Sequence, residues 1–149
     1  MPNKLMEAIN ISKSYKQGDV NIDVLINFSM TLNKGDFLAI TGASGSGKTT
    51  LLNILGLIDN FNSGCLKHFD NDISEASEIQ KDKLRLNHLG FVYQSSNLFD
   101  DFNAIENVAL PLLLLGNSKK ESYKKSSEIL CKFGLSERLK HTPKDLSGG

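Results

Sequence analysis

Gly42-Ala43-Ser44-Gly45-Ser46-Gly47-Lys48-Thr49 is the stretch on which the reading of this chain turns. It fits the pattern G-x-x-x-x-G-K-[ST], a loop whose backbone amides cradle phosphate oxygens. Its glycines let the chain curl closely around an oxyanion with successive N–H groups pointing inward. A helix opening at Gly47 would aim its positive end at the same point. In such a loop Lys48 reaches the β- and γ-phosphates of a nucleotide, and the Thr49 hydroxyl can ligate magnesium. A Gly/Ser linker would also contain these residue types, but it would not explain the flanks. Phe37-Leu38-Ala39-Ile40-Thr41 has the short apolar run of a buried parallel strand, and Lys48 to Leu57 reads as a helix. Strand, loop and helix in that order are what phosphate binding requires.

Working back toward the N-terminus, Asn33-Lys34-Gly35-Asp36 is a turn. Before it, Val24, Ile26, Phe28, Met30 and Leu32 alternate with other residues at the period of a half-buried strand. Met6 to Ser12 repeats that pattern more weakly, so the N-terminal third reads as antiparallel strands feeding one buried strand. Working forward, Asn60 to Gly64 is a turn, Cys65 to Phe69 a short strand and Asp70-Asn71-Asp72 another turn. Glu75 to His88 is a polar helix with Ser74 as its cap, and Leu89-Gly90-Phe91-Val92-Tyr93 a second buried strand. After Gln94 the pattern is helical. Asn103 and Glu106 form a capping box ahead of a segment that Pro111 should kink or end. Ser118 and Glu121 form another, and Gly134 is a helix stop.

The chain of 149 residues carries 17 basic and 17 acidic side chains, so no bulk charge pulls it toward nucleic acid. With 40% hydrophobic and 23% charged residues its composition is that of a globular protein. The strongest apolar run, Val108 to Leu115, is too short to cross a bilayer, which takes about 20 residues. Cys65 and Cys131 have no metal-ligand spacing and read as buried, reduced thiols; His68, His88 and His141 share no ligand spacing either. These features point to a cytosolic location.

Three further segments give the phosphate loop its family context. Tyr15 lies ahead of it in Lys13-Ser14-Tyr15; Gln94 closes Gly90-Phe91-Val92-Tyr93-Gln94; and Leu146-Ser147-Gly148-Gly149 stands at the far end. In this order the segments resemble the A-loop, Walker A, Q-loop and signature motif of the ATP-binding-cassette (ABC) ATPases. Asp101 to Leu113 and the spaced residues Gly134, Leu135, Arg138, His141, Pro143 and Leu146 are similar to the lipoprotein-releasing, Lol-type member. Ser95-Ser96-Asn97-Leu98-Phe99-Asp100 departs from that type where aromatic, histidine and Leu-Leu-Pro residues are usual, and Asn103 replaces a usual Thr.

The resemblance implies an α/β P-loop fold of the ABC ATPase type, with an N-terminal antiparallel β region and a helical arm. Residues 1–94 would be the β-rich and P-loop core, 95–146 the helical subdomain, and 146–149 the start of the signature motif. It implies ATP and Mg2+ as ligands. Gly42, Ala43, Ser44, Gly45, Ser46, Gly47, Lys48, Thr49 and Thr50 would hold phosphate, Tyr15 would stack on adenine, and Thr49 and Gln94 would meet the metal. Lys48 and Gln94 would serve catalysis, while Ser147, Gly148 and Gly149 would contact ATP held by a second copy across an ATP-sandwich dimer. The helical arm would receive a polytopic permease on the cytoplasmic side of a bacterial inner membrane, for lipoprotein release. Macrolide-exporter-type and cell-division-type ATPases stay open as alternatives, as does a truncated, non-catalytic nucleotide-binding remnant. No Walker B strand follows in this sequence. The expectation is therefore a partial domain, inactive and poorly stable alone, with Phe37–Thr41 and Leu89–Tyr93 left with unpaired edges and uncovered apolar faces.

Overall fold

The computed structural model describes residues 4–95 and 97–146, and the chain divides after Leu89 into two compact units. The first holds a four-stranded antiparallel sheet in the order β2-β1-β3-β4, built from β1 (Lys4–Gln17), β2 (Val20–Asn33), β3 (Ser63–His68) and β4 (Asn71–Asp72). Its helices are α1 (Lys48–Leu55) and α2 (Glu78–His88). The core joins Met6, Ala8, Ile11, Leu25 and Leu66 of the strands to Leu51, Ile54 and Leu55 of α1. Ile54 and Ile11 are fully enclosed.

The first two strands run longer than the alternation in the sequence indicates, because the register between them shifts at four places, two of them the bulges on either side of Ile11. Between the pairs Ala8–Met30 and Ile11–Phe28, β1 carries one extra residue; between Ile11–Phe28 and Lys13–Leu25, β2 carries the extra one. Asn10 (φ +50°) and Asn27 (φ +48°) occupy these bulges in left-handed conformations that asparagine tolerates. Each bulge is closed by a serine on the opposite strand. Asn10 N–H donates to Ser29 Oγ at 2.8 Å, and Asn27 N–H donates to Ser12 Oγ at 3.0 Å. The parity of the side chains flips at each bulge. Ile11 joins Met6 and Ala8 in the core, and Leu25 is buried while Ile26 is 71% exposed, the reverse of the simple alternation.

Phe37–Thr41 and Leu89–Tyr93 are not strands, in contrast to the expectation for buried parallel elements. A parallel strand exists through its ladder with neighbours, and no described residue supplies that ladder to either segment. Several of their apolar side chains are accordingly uncovered, Phe37 being 96% exposed and Val92 fully so, while Ile40 and Leu89 pack partly against the core.

Other boundaries shift by small amounts. The β3–β4 hairpin turns at Phe69 (φ +50°) and Asp70 (φ +63°), so Asn71 and Asp72 pair with β3 and are not part of the turn. Helix α2 begins after Ser77, whose box with Gln80 caps it; Ser74 instead bonds to Asp72 and the Leu66 amide.

The second unit is a helical hairpin of α3 (Ala104–Leu114) and α4 (Lys119–Lys132). The Asn103–Glu106 box caps α3 with two reciprocal 3.0 Å bonds. The helix runs through Pro111 and ends three residues later at Leu114, in contrast to the expectation only in that the proline does not end it at once. Ala104 N–H donates to the His141 carbonyl at 2.9 Å and Ile105 N–H to that of Leu139 at 3.1 Å, so the chain after α4 closes back on the start of α3. Ser118 caps α4 by accepting from the Glu121 amide, but the expected box does not close, since the Glu121 carboxylate pairs with Lys125 at 2.8 Å; Gly134 (φ +75°) follows the helix end. Cys131 is exposed on α4 and Cys65 half-buried in β3, which corrects the reading of both as buried thiols: a thiol on the polar face of a helix faces water with its neighbours.

Candidate functional site

The loop from Gly42 to Gly47 lies between Phe37–Thr41, which is not a strand, and α1, which opens where the motif places a helix. Gly47, at φ +83°, is the N-cap of α1 in a left-handed conformation. A Cβ there would stand 2.8 Å from the Val24 carbonyl oxygen and 2.9 Å from Val24 Cγ1, so only glycine lets the loop press onto β2. The start of α1 differs from the other helices in one chemical respect. It has no side-chain cap and no acidic residue in its first turn, whereas α2, α3 and α4 each have both. Its N-terminal amides are left open toward an external anion.

Lys48 folds back over its own loop. Its Nζ donates to the Gly42 carbonyl at 3.0 Å, to the Ala43 carbonyl at 2.5 Å and to Ser46 Oγ at 3.4 Å. All three partners are neutral oxygens. A phosphate at the mouth of the loop would offer this ammonium full negative charge in place of carbonyl dipoles, which is the stronger interaction. Thr49 is exposed and Thr50 half-buried, both in the first turn of α1. The Thr49 hydroxyl is an oxygen ligand of the hard type that magnesium takes alongside phosphate.

Tyr15 stands near the end of β1 opposite Ile22, two residues beyond Lys13, which itself faces Leu25. Leu25 is the neighbour of Val24, against which Gly47 rests, so the tyrosine and the loop meet the same end of the β1–β2 ribbon. The ring is 42% exposed. Its hydroxyl donates to Asp59 Oδ2 at 2.6 Å, while Lys13 Nζ donates to Asp59 Oδ1 at 2.8 Å and to the Asn60 carbonyl at 2.6 Å. That same ammonium lies 4.8 Å from the centroid of the tyrosine ring. Partial burial pushes the Asp59 carboxyl up, but the hydrogen bonds from Lys13, Tyr15 and the Asn60 amide outweigh it and hold the group below its ordinary value. Lys13 and Asp59 were not legible as site residues. Nothing in Lys13-Ser14-Tyr15 announces a carboxylate 44 positions away from the tyrosine.

Gln94 belongs to the second unit, where it is exposed just after the stacked rings of Phe91 and Tyr93, whose centroids are 5.7 Å apart. Ser147, Gly148 and Gly149 lie outside the described residues. Among the described residues no three His, Cys, Asp or Glu side chains gather as a metal cluster, and no helix is long and apolar enough to cross a membrane.

Comparison with known proteins agrees with this geometry. Residues 25–149 match the family described as ABC transporter. The chain is 44% identical over 145 residues to the lipoprotein-releasing system ATP-binding protein LolD of Alcanivorax borkumensis, covering 97% of this chain and 64% of that protein. It is also 44% identical, over all 149 residues, to the protein of the same name from Hahella chejuensis, of which it covers 64%. The chain thus spans about two-thirds of the length of these relatives, or slightly less. Among solved structures it is similar to the ATP-binding cassette MJ0796, a dimer in a post-hydrolysis state bound to ADP and Pi. The TM-score is 0.88 and the identity 34%, over 97% of this chain and 64% of that one. A second dimeric structure of the same bacterial cassette matches equally. An open, glycine-built phosphate loop on an α/β scaffold and these likenesses lead to one assignment: the chain belongs to the ABC transporter family.

Proposed function

We propose that this chain is part of an ATP-binding subunit that, in its complete form, binds and hydrolyses MgATP to drive a membrane permease releasing lipoproteins from a bacterial inner membrane. The observation that carries the reading is the uncapped start of α1, with Gly47 left-handed and Lys48 curled over neutral loop oxygens. In this reading the amides from Gly42 to Thr50 and the Lys48 ammonium hold the phosphates. Thr49 and Gln94 would hold the magnesium, which would supply positive charge against the phosphates. Tyr15 stacks on the adenine, and Gln94 orients the attacking water. Ser147, Gly148 and Gly149 reach the nucleotide held by a second copy; the dimeric MJ0796 cassettes support such an assembly. The permease docks on the helical unit, which exposes Phe99, Phe102, Leu114, Leu115 and Phe133. The Lol-type cargo rests on the LolD relatives.

Lys48→Ala in the full-length protein should abolish ATP turnover, because the phosphates lose their only flexible cation from the loop. Turnover that persists in that variant would refute the role. The cargo is tested separately, by ATP-dependent release of a lipoprotein from inner-membrane vesicles carrying the co-purified permease.

A further inference from the structure

We propose that Asp59, together with Lys13, is a positioning residue for the nucleotide base, setting the tilt of the Tyr15 ring and closing one of its two faces. The inference rests on the reading of Tyr15 as the base-stacking side chain and adds what makes that ring a defined platform.

A tyrosine on the surface of a strand has free rotation about two side-chain bonds, and a base that stacks on it must first pay the entropy of stopping that rotation. Here the ring is held at its hydroxyl and on one face. The hydroxyl is held by Asp59 Oδ2 at 2.6 Å, and the other carboxylate oxygen takes Lys13 Nζ at 2.8 Å. The lysine is anchored a second time on the Asn60 carbonyl at 2.6 Å, and its Nζ lies 4.8 Å from the ring centroid. Its side chain is only 12% exposed, so the ammonium is fixed beside the ring and is not swinging in solvent. One face of Tyr15 is therefore engaged by a cation, and a base has the opposite face to stack on. Asp59 also follows α1, the helix whose other end carries the phosphate loop. A single short segment thus links the group that holds phosphate to the group that orients the ring.

Kinetics of the full-length protein test this. Base stacking on an aromatic ring changes affinity by about 5- to 150-fold, and loosening the ring should forfeit part of that. Asp59→Ala is expected to raise KM for MgATP about 10-fold with kcat at saturation near that of the parent. Inhibition by magnesium tripolyphosphate, which has no base, should stay within about twofold. Asp59→Asn keeps an oxygen for the tyrosine hydroxyl and should recover part of the loss. Tyr15→Phe cuts the same bond from the other side and should shift KM in the same direction, which keeps the test valid if the Asp59 variants fold poorly. Equal weakening of MgATP and tripolyphosphate would overturn the proposal by making Asp59 a prop for α1, as would an unchanged KM in all three variants. A parent protein that binds tripolyphosphate as tightly as MgATP would instead remove the stacking role of Tyr15 on which the proposal stands.

Discussion

Gly64→Ala should be among the most damaging single-methyl additions in the chain. Gly64 sits in β3 at φ +114°, a region that residues with a Cβ rarely enter, at a cost of roughly 1–3 kcal/mol. The new Cβ would also stand 2.6 Å from the Asn10 carbonyl oxygen, and 2.8 Å from both Asn10 C and Ile11 Cα. These are backbone atoms of the central strand, at the bulge that β3 must pass over, so no side chain can swing aside. Overpacking of this kind adds about 1–3 kcal/mol, for a total near 4 kcal/mol and a melting temperature lower by roughly 10 °C. Gly18→Ala is the matched control. It is also left-handed, at φ +62°, but nothing lies within 4 Å of its Cβ, so only the conformational cost of about 1 kcal/mol applies. Urea denaturation of the nucleotide-free, full-length variants, followed by circular dichroism, gives both values. A Gly64→Ala midpoint equal to that of Gly18→Ala would refute the claim that the bulge at Asn10 and the glycine facing it are one fitted unit.

Two further outcomes are expected. Ser126 is fully buried in α4 with its hydroxyl lacking a partner, so Ser126→Ala should stabilise the protein by about 1 kcal/mol in the same assay, from relieved desolvation and better helix propensity; a loss of stability would show that the hydroxyl is satisfied in solution. Burial first, and then the neighbouring His88, hold the His68 imidazole below its ordinary 6.5. The unfolded chain then takes up this proton before the folded one does. The contribution of neutral His68 to stability is therefore present above about pH 6.5 and is lost as the pH falls through its folded value. A proton NMR titration should place its midpoint below 6.5, and one at or above that value would contradict the burial argument.

The glycine-rich loop that opens α1 was legible because the residues that make it are contiguous, although α1 itself is held by packing against the strands. The caps of α3 and α4 were legible for the same reason, since Asn103–Glu106 and Ser118–Glu121 act within one turn. Features shared between distant segments were not. The bulge at Asn10 is closed by a serine in another strand, and Tyr15 finds its carboxylate on the far side of α1, 44 positions along the chain. Phe37–Thr41 and Leu89–Tyr93 show the limit from the other side. Their apolar runs have strand character, but strand structure is conferred by neighbours that the described residues do not contain.

The two facing bulges carry a consequence for how sequences of this kind diverge. The extra residue in β1 and the extra residue in β2 offset each other, so the pairs Ala8–Met30 and Lys13–Leu25 keep one common register on either side. Deleting one of the two asparagines alone would turn the rest of that strand inside out. Deleting both would keep the same residues in the core between Ala8 and Lys13 and remove the local need for glycine at position 64. Insertions and deletions at the two places should therefore arise as coupled pairs, and an alignment that gaps only one of them has misplaced the strand.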